Sequence, residues 1–121
     1  MDAKKILIME DEKPMARALE LKLTNAGFAA ARAGDGIEGM ELLEKEHFSL
    51  ILLDLVMPRM DGFAVLKALA EKGISTPVII LSNLGQEDDE KRAKALGAKD
   101  FFIKSNTPIA TIVEKVSRFL A

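Results

Sequence analysis

The amino-acid sequence predicts an α/β fold, namely a single, doubly wound parallel sheet of five strands with helices on both faces, written (βα)5. Short apolar runs alternate five times with longer segments whose apolar residues keep a helical spacing. Residues 50–53 and 78–81 are continuously apolar, which is typical of strands covered on both faces. Such an alternation requires right-handed crossovers, and these place helices on both sides of the sheet.

Each strand is predicted from an apolar run bounded by polar or turn-forming residues. The five predicted strands are residues 6–9, 28–32, 50–53, 77–81 and 101–103. The second strand is the least typical, because its three alanines favour a helix by intrinsic propensity. It is predicted from its place in the alternation. Pro77 is tolerated at the beginning of a strand.

The helices are predicted from apolar spacing and from residues that favour helix ends. They are residues 14–26, 37–43, 63–70, 86–96 and 108–120. Pro14 suits a first helical turn, and Asp35 is expected to cap the second helix. Thr107 is expected to cap the last helix, which Pro108 begins. Gly39 weakens the second helix, and the polar fourth helix is expected to pack lightly.

Length and composition limit the classes of protein. The chain has 121 residues, so residues 1–121 are predicted to form one domain without a further output domain. A net charge of −2 gives no reason to expect direct contact with nucleic acid or a membrane. Without cysteine and with His47 as the one histidine, the chain excludes thiolate and multi-histidine metal sites. Neither a membrane-spanning run nor a secretory signal is visible, so a cytoplasmic location is expected.

Reactive side chains follow four of the predicted strands directly. They are Glu10 and Asp11 after strand one, Asp54 after strand three, Ser82 after strand four and Lys104 after strand five. Parallel strands place these residues at one edge of the sheet, where open α/β folds bind ligands. The carboxylates repel one another unless a cation joins them, and oxygen donors favour Mg²⁺, with Mn²⁺ also possible. Together these groups predict a phosphoryl-transfer site with Asp54 as the acceptor.

Four segments carry a resemblance to a known family over the full length of the chain. They are residues 6–12 (ILIMEDE), 52–62 (LLDLVMPRMDG), 77–82 (PVIILS) and 97–104 (GAKDFFIK). In order and spacing they resemble the receiver domain of two-component response regulators. The resemblance implies a flavodoxin-like sheet with strand order 2-1-3-4-5. It also implies a switch rather than an enzyme, with Mg²⁺-dependent self-phosphorylation and slow self-dephosphorylation.

The resemblance also implies roles for the carboxylates. Asp54 takes a phosphoryl group from a phosphohistidine of a sensor histidine kinase or a phosphotransfer protein. Mg²⁺ is held by Glu10 through water, by Asp11 and Asp54, and by the backbone carbonyl of Val56. The phosphodonor docks on helix one near Pro14, Met15 and Ala18.

A switch is implied at the other strand ends. Ser82 and Lys104 bind the phosphoryl oxygens, and Phe101 stands at the switch aromatic of the family. When Ser82 moves toward the phosphoryl group, Phe101 turns inward, and the surface of helix four, strand five and helix five changes shape. The signal then passes to an unidentified downstream protein, from a monomer or a phosphorylation-dependent dimer.

Two features of this sequence modify the family pattern. The residue after the lysine is usually a proline in a cis peptide, whereas here it is Ser105. We expect a cis Lys104–Ser105 bond despite a cost of roughly 2.5–4 kcal/mol, because Lys104 must still be aimed at the phosphoryl group. Val56 and Leu84 border the approach of water to the acceptor in receivers. Because neither side chain can orient a water molecule, we expect a long-lived phosphoryl group.

Two other classes of protein are compatible with the residues alone. A flavin-binding module shares the fold, but it needs a phosphate-binding loop after strand one, where residues 10–12 are all acidic. A phosphatase or mutase with an aspartate nucleophile typically has a second acid two residues later, where Val56 stands. A yellow preparation would support the first class, and turnover of a phosphate ester would support the second.

Overall fold

The computed structural model describes residues 3–84 and 87–121. The strands are β1 (Lys5–Met9), β2 (Ala29–Ala33), β3 (Leu50–Leu53), β4 (Val78–Ser82) and β5 (Asp100–Ile103). The helices are α1 (Lys13–Asn25), α2 (Gly36–Lys45), α3 (Gly62–Glu71), α4 (Glu87–Ala95) and α5 (Ile109–Leu120), with a 3-10 turn (Lys104–Asn106) before α5. The predicted beginning of helix four at Gln86 lies outside the described residues. Within residues 3–84 and 87–121, no helix is long and apolar enough to cross a membrane.

The five strands form one parallel sheet in the order β2-β1-β3-β4-β5, which confirms the predicted fold class and strand order. In register, Leu7 of β1 lies beside Ile51 of β3, and Ile51 lies beside Val78 of β4. The last pair between β4 and β5 joins Ser82 to Ile103. Because all strands run in one direction, their carboxyl ends meet at one edge of the sheet.

Alternate side chains of the central strands divide the core between two layers. Leu7 and Ile51 belong to the layer that also contains the buried residues of α2, α3 and α4. Ile6 and Leu52 belong to the layer that contains the buried residues of α1 and α5. The central strands are therefore covered on both faces, as their continuous apolar sequences predict.

Burial is uneven across the sheet. All residues of β3 and β4 are buried, whereas every residue of β5 at the edge is only half-buried. Of the residues of α4, all of which are described, Ala93 alone is buried. The prediction that the fourth helix packs lightly is therefore confirmed.

Two aspartates begin the helices that follow β2 and β3. Asp35 accepts the N–H of Glu38 at 2.9 Å, so the predicted cap of the second helix is confirmed. Asp61 caps α3 in the same way by accepting the N–H of Ala64 at 2.8 Å. Within α2, Gly39 faces Met9, and a Cβ at this position would lie 2.5 Å from the Met9 methyl carbon. The glycine that weakens α2 by propensity therefore lets the helix approach β1 closely.

The prediction that Thr107 caps α5 was wrong. Pro108 occupies the cap position, and α5 has no side-chain cap hydrogen bond from any described residue. Thr107 instead closes the preceding 3-10 turn, because its N–H donates to the carbonyl of Lys104 at 3.4 Å. The limits of four of the five predicted strands, all but β3, also differ from the prediction by one residue. Strand β2 is shifted by one residue toward the C-terminus, and Ser82 is the last residue of β4 rather than the residue after it.

Candidate functional site

The acceptor candidate Asp54 lies at the end of the buried central strand β3. Its N–H donates to the carbonyl of Met9 at 3.0 Å, which fixes its backbone beside the end of β1. Its side chain is buried and accepts the N–H of Val56 at 3.2 Å. The carboxylate is therefore held on a backbone that is paired within the sheet, next to Glu10 at the end of β1.

The loop from Asp54 to α3 is closed tightly. The N–H of Gly62 donates to the carbonyl of Leu55 at 2.9 Å, and a Cβ on Gly62 would lie 2.5 Å from the carbonyl oxygen of Asp54. Arg59 in this loop adopts a left-handed conformation with φ 65°, and its guanidinium pairs with Asp35 at 2.7 Å. The loop is thus tied to Asp35 at the beginning of α2, and the beginning of α3 passes directly against the backbone of Asp54.

Lys104 joins three carboxylates at this edge. Its Nζ lies 2.7 Å from Glu10, 2.9 Å from Glu12 and 2.9 Å from Asp54. The Lys104 side chain is only 7% exposed, and those of Glu10 and Asp54 are buried as well. Buried ion pairs of this kind require that every charged group keeps its partner, because removal of one leaves an uncompensated charge.

Burial and charge shift the pKa values of two groups in the cluster. Burial raises the pKa of the Glu10 carboxyl to about 7; the hydrogen bond from Lys104 opposes this rise and the charge of Asp54 adds to it. Burial alone would lower the pKa of the Lys104 ammonium. Its hydrogen bonds to Glu10, Glu12 and Asp54 outweigh burial and raise that pKa, so Lys104 remains charged at neutral pH.

The carboxylates can hold a metal ion. One oxygen from each of Glu10, Glu12 and Asp54 lies within 4.8 Å of the other two. Three carboxylates against the single ammonium of Lys104 leave an excess negative charge when all are ionised. A donor set made only of carboxylate oxygens suits a hard divalent cation such as Mg²⁺. The predicted metal site therefore fits the chemistry of these residues.

The membership of the cluster differs from the predicted ligand set at one position. Among the described residues, the cluster contains Glu12 and does not contain Asp11, which is exposed. Asp11 instead lines the neighbouring cavity. The N–H of Glu12 donates to the Glu10 carboxylate at 3.1 Å, which turns the loop so that the Glu12 side chain reaches Lys104. Sequence reasoning passed over Glu12, although an acid two residues after Glu10 was the available signal.

A cavity of about 260 Å³ lies beside the cluster. Its lining contains six of the predicted site residues, Asp11, Asp54, Val56, Ser82, Leu84 and Lys104, together with Glu12 and Asn83, which were not predicted. Ser82 is fully buried, and its hydroxyl oxygen accepts the N–H of Leu84 at 3.3 Å. Val56 and Leu84 stand at the same cavity, as the predicted tuning positions require. Phe101 is half-buried and packs against the layer of α2, α3 and α4.

The expectation of a cis Lys104–Ser105 bond was wrong, because this peptide is trans. Lys104 nevertheless reaches Asp54, since the 3-10 turn Lys104–Asn106 redirects the chain directly after β5. The N–H of Ser105 donates to the side-chain oxygen Oδ1 of Asn83 at 3.2 Å. A trans backbone with this contact therefore positions the lysine without the proline that is usual after it.

Comparisons with known proteins agree with this geometry. The sequence matches the family described as response regulator receiver domain over residues 6–117. It is 35% identical over 108 residues to "Probable transcriptional regulator ycf27" of Porphyridium aerugineum, covering 89% of this chain and 45% of that protein. It is 36% identical over 100 residues to "Transcriptional regulatory protein DltR" of Streptococcus agalactiae serotype III (strain NEM316), covering 83% and 45% respectively. The chain thus spans less than half the length of these two curated relatives.

The fold comparison points the same way. The backbone matches the structure titled "Structure of the Francisella response regulator 1452 receiver domain" with a TM-score of 0.91 and 30% sequence identity. That match covers 97% of this chain and 96% of the other. Because the family match extends from β1 into α5 and the strand order is the one that the family requires, this chain belongs to the response regulator receiver domain family.

Proposed function

We propose that the protein is a phosphoacceptor switch in which Asp54 takes a phosphoryl group from a phosphohistidine. The observation that carries this proposal is the buried ion pair between Asp54 and Lys104, with Nζ 2.9 Å from Oδ2. A buried carboxylate that faces a cation is a nucleophile held where the charge on a transferred group can be neutralised. The role is that of a switch whose state changes, not of an enzyme that releases a product from an external substrate.

In the proposed transfer, the phosphoryl group moves from a histidine nitrogen to a carboxylate oxygen of Asp54. A carboxylate oxygen of Asp54 forms a bond to phosphorus while the nitrogen–phosphorus bond of the phosphohistidine breaks. The leaving imidazole keeps the bonding electron pair and takes up a proton. Lys104 then pairs with one phosphoryl oxygen, and the hydroxyl of Ser82 donates to another. These two contacts offset the negative charge that the phosphoryl group adds.

Mg²⁺, or Mn²⁺ in its place, is the proposed cofactor. Asp54 and, through water, Glu10 are the proposed ligands from the cluster, with Asp11 and the Val56 carbonyl at the neighbouring cavity completing the set. When bound, the ion supplies positive charge beside the phosphoryl oxygens. Lys104, which pairs with Glu10 in this structure, is then free to turn toward the phosphoryl group.

The proposed partners are a sensor histidine kinase or a phosphotransfer protein upstream and a protein downstream. Pro14 at the beginning of α1 is exposed and lines a cleft of about 1,010 Å³ that reaches Glu10, which supports docking of the phosphodonor there. The named curated relatives are transcriptional regulators of more than twice the matched length. For this chain, with its net charge of −2, we propose output through protein contact rather than direct contact with nucleic acid.

The output surface is proposed to be the face of α4, β5 and α5. Phe101 on β5 is only half-buried, and Ala93 is the one buried residue of α4. Movement of Ser82 toward the phosphoryl group would leave room for Phe101 to turn inward. Lightly packed elements of this kind are the ones that a small displacement at the site can rearrange.

The direct test is intact mass spectrometry of the purified protein. Acetyl phosphate with Mg²⁺ should add the mass of one phosphoryl group, and omission of Mg²⁺ should prevent the addition. A protein whose mass stays unchanged with both acetyl phosphate and a phosphorylated histidine kinase would contradict the proposal.

The pKa of Glu10 predicts how Mg²⁺ binding depends on pH. Below pH 7 the Glu10 carboxyl of the metal-free protein carries a proton, since its pKa is raised to about 7, and a bound cation must displace that proton. The Mg²⁺ association constant should therefore rise with pH, by up to about tenfold per unit below pH 7, and level off above it. Titrations followed by nuclear magnetic resonance between pH 5.5 and 8.5 measure this dependence.

The control for the pH experiment is a pair of charge-removing variants. Glu10→Gln should bind Mg²⁺ more weakly and lose the pH dependence, because the titrating group is gone. Glu12→Gln should keep the dependence, since the side chain of Glu12 is mostly exposed. An association constant that stays flat between pH 5.5 and 7 in the unaltered protein would contradict the role of Glu10.

The lifetime of the phosphoryl group is predicted from Val56 and Leu84. Both line the cavity beside Asp54, and Val56 is 57% exposed, so apolar groups border the approach of water. Val56→Asn combined with Leu84→Glu should speed hydrolysis about tenfold, because an orienting contact of roughly 1.4 kcal/mol becomes available in the transition state. The decay of purified phosphoprotein measures this rate. The control Val56→Ala with Leu84→Ala removes apolar bulk without adding a group that can orient water, so it separates crowding of the attacking water from its orientation. A Val56→Asn, Leu84→Glu variant whose phosphoryl group decays no faster than that of the unaltered protein would refute the prediction.

A further inference from the structure

Ser82 ends β4 and Lys104 begins the turn after β5, and one hydrogen bond joins the segments that follow these two residues beyond the sheet. The backbone ladder between β4 and β5 ends at the pair Ser82 and Ile103. One residue after Ser82 and two residues after Ile103, the Oδ1 atom of Asn83 accepts the N–H of Ser105 at 3.2 Å. This contact continues the connection between the two strands with a side chain where the backbones separate. It lies directly after Ser82 on one side and directly after Lys104 on the other.

The bond depends on the identity of residue 105. The donor is the backbone N–H of Ser105, which is free because the residue lies in the 3-10 turn Lys104–Asn106. A proline, usual at this position in the family, has no N–H to donate. The side chain of Ser105 takes no part in the contact. The bond between the loops is therefore available to this chain because a residue other than proline follows Lys104.

We infer that Asn83 is a positioning residue that sets the separation of Ser82 and Lys104 through the N–H of Ser105. This inference rests on the proposed function of these two side chains as phosphoryl ligands. The two groups must contact different oxygens of one phosphoryl group, so a fixed spacing between their loops favours binding. Asn83 and Ser105 are both exposed, so water competes for their bond and its effect is moderate.

The binding experiment uses beryllofluoride with Mg²⁺ as a mimic of the phosphoryl group, measured by calorimetry. Asn83→Ala should weaken binding about threefold, the effect of one exposed hydrogen bond. Ser105→Ala keeps the N–H and should bind like the unaltered protein. In a Ser105→Pro background, which lacks the donor, Asn83→Ala should change the affinity by less than about 1.5-fold. This loss of effect is the signature of the bond, because Asn83 also lines the cavity and could otherwise act on the ligand directly.

A second measurement reports on the bond without any ligand. The amide of Ser105 should exchange its hydrogen with solvent about threefold faster in Asn83→Ala than in the unaltered protein. The amide of Thr107, which donates to Lys104 within the same turn, should keep its rate and serves as the internal control. This measurement does not depend on how the Ser105→Pro chain folds.

The outcomes separate this inference from the proposed function. An Asn83→Ala effect of equal size in the unaltered and Ser105→Pro backgrounds, or no effect in the unaltered background, would overturn the positioning role. An unchanged exchange rate at Ser105 would overturn it as well. If the unaltered protein bound no beryllofluoride, the proposed function would fail, and the exchange rate at Ser105 would still decide whether the bond exists.

Discussion

Replacement of Asp54 by asparagine is expected to abolish phosphorylation by acetyl phosphate and Mg²⁺. The amide of asparagine keeps the shape of the side chain but lacks the anionic oxygen that attacks phosphorus. Glu10 and Glu12 lie nearby, and Glu12 also lines the cavity with Ser82, but Asp54 is the carboxylate that follows the buried strand β3. Intact mass before and after treatment should therefore show the phosphoryl addition in the unaltered protein and none in Asp54→Asn.

The matched control is Asp88→Asn, the same chemical change on the exposed surface of α4. This variant should be phosphorylated to the same extent as the unaltered protein. Thermal melting checks that Asp54→Asn still folds, which we expect because Glu10 and Glu12 continue to pair with Lys104. Full phosphorylation of Asp54→Asn would exclude Asp54 as the acceptor and would direct the search to another carboxylate.

Replacement of Gly62 by alanine is expected to destabilise the protein strongly, because the added methyl group would collide with the backbone beside the site. The new Cβ would lie 2.5 Å from the carbonyl oxygen of Asp54 and 2.8 Å from the Cα of Leu55. Both are backbone atoms next to β3, so neither can move aside as a flexible side chain can. Overpacking of this kind should lower the free energy of unfolding by about 3 kcal/mol and the melting temperature by about 10 °C.

Gly34→Ala is the control for this prediction. A Cβ at Gly34 meets no described atom within 4 Å, and the residue is exposed. The melting temperature of this variant should stay within about 2 °C of that of the unaltered protein. Gly62→Ala should also be phosphorylated more slowly, since the displaced backbone carries Asp54. A Gly62→Ala protein that melts like Gly34→Ala would show that the loop adapts without displacement.

Much of the fold could be predicted because apolar spacing and strand ends are local properties of the sequence. The continuous run at residues 50–53 requires cover on both faces, and β3 has it. The order of the strands is a property of the whole chain, and it came from the resemblance rather than from any local pattern. Gly39 shows what helix propensity cannot predict. It is unfavourable within a helix, but its lack of a side chain leaves room for Met9 on β1.

The sequence predicted only some of the side chains that meet at the site. The residue types at the strand ends pointed to Glu10, Asp54 and Lys104, and the structure brings these three together. Glu12 was missed because the direction of a side chain in a loop depends on backbone contacts, here the bond from its own N–H to Glu10. The geometry after Lys104 was mispredicted for a related reason, since a turn and a contact from another loop decide it.

The uneven burial of the sheet affects the free energy that a change of conformation at the β5 edge would require. Segments with few buried contacts open locally at a small fraction of the free energy needed to unfold the domain. Strand β3 with Asp54 belongs to the fully buried part, whereas β5 with Phe101 and helix α4 belong to the part that opens easily. A ligand can shift a conformational equilibrium only by its difference in affinity for the two states. In the proposed switch, phosphorylation would therefore have to outweigh only the local opening free energy of this edge, rather than a global stability of roughly 5–15 kcal/mol.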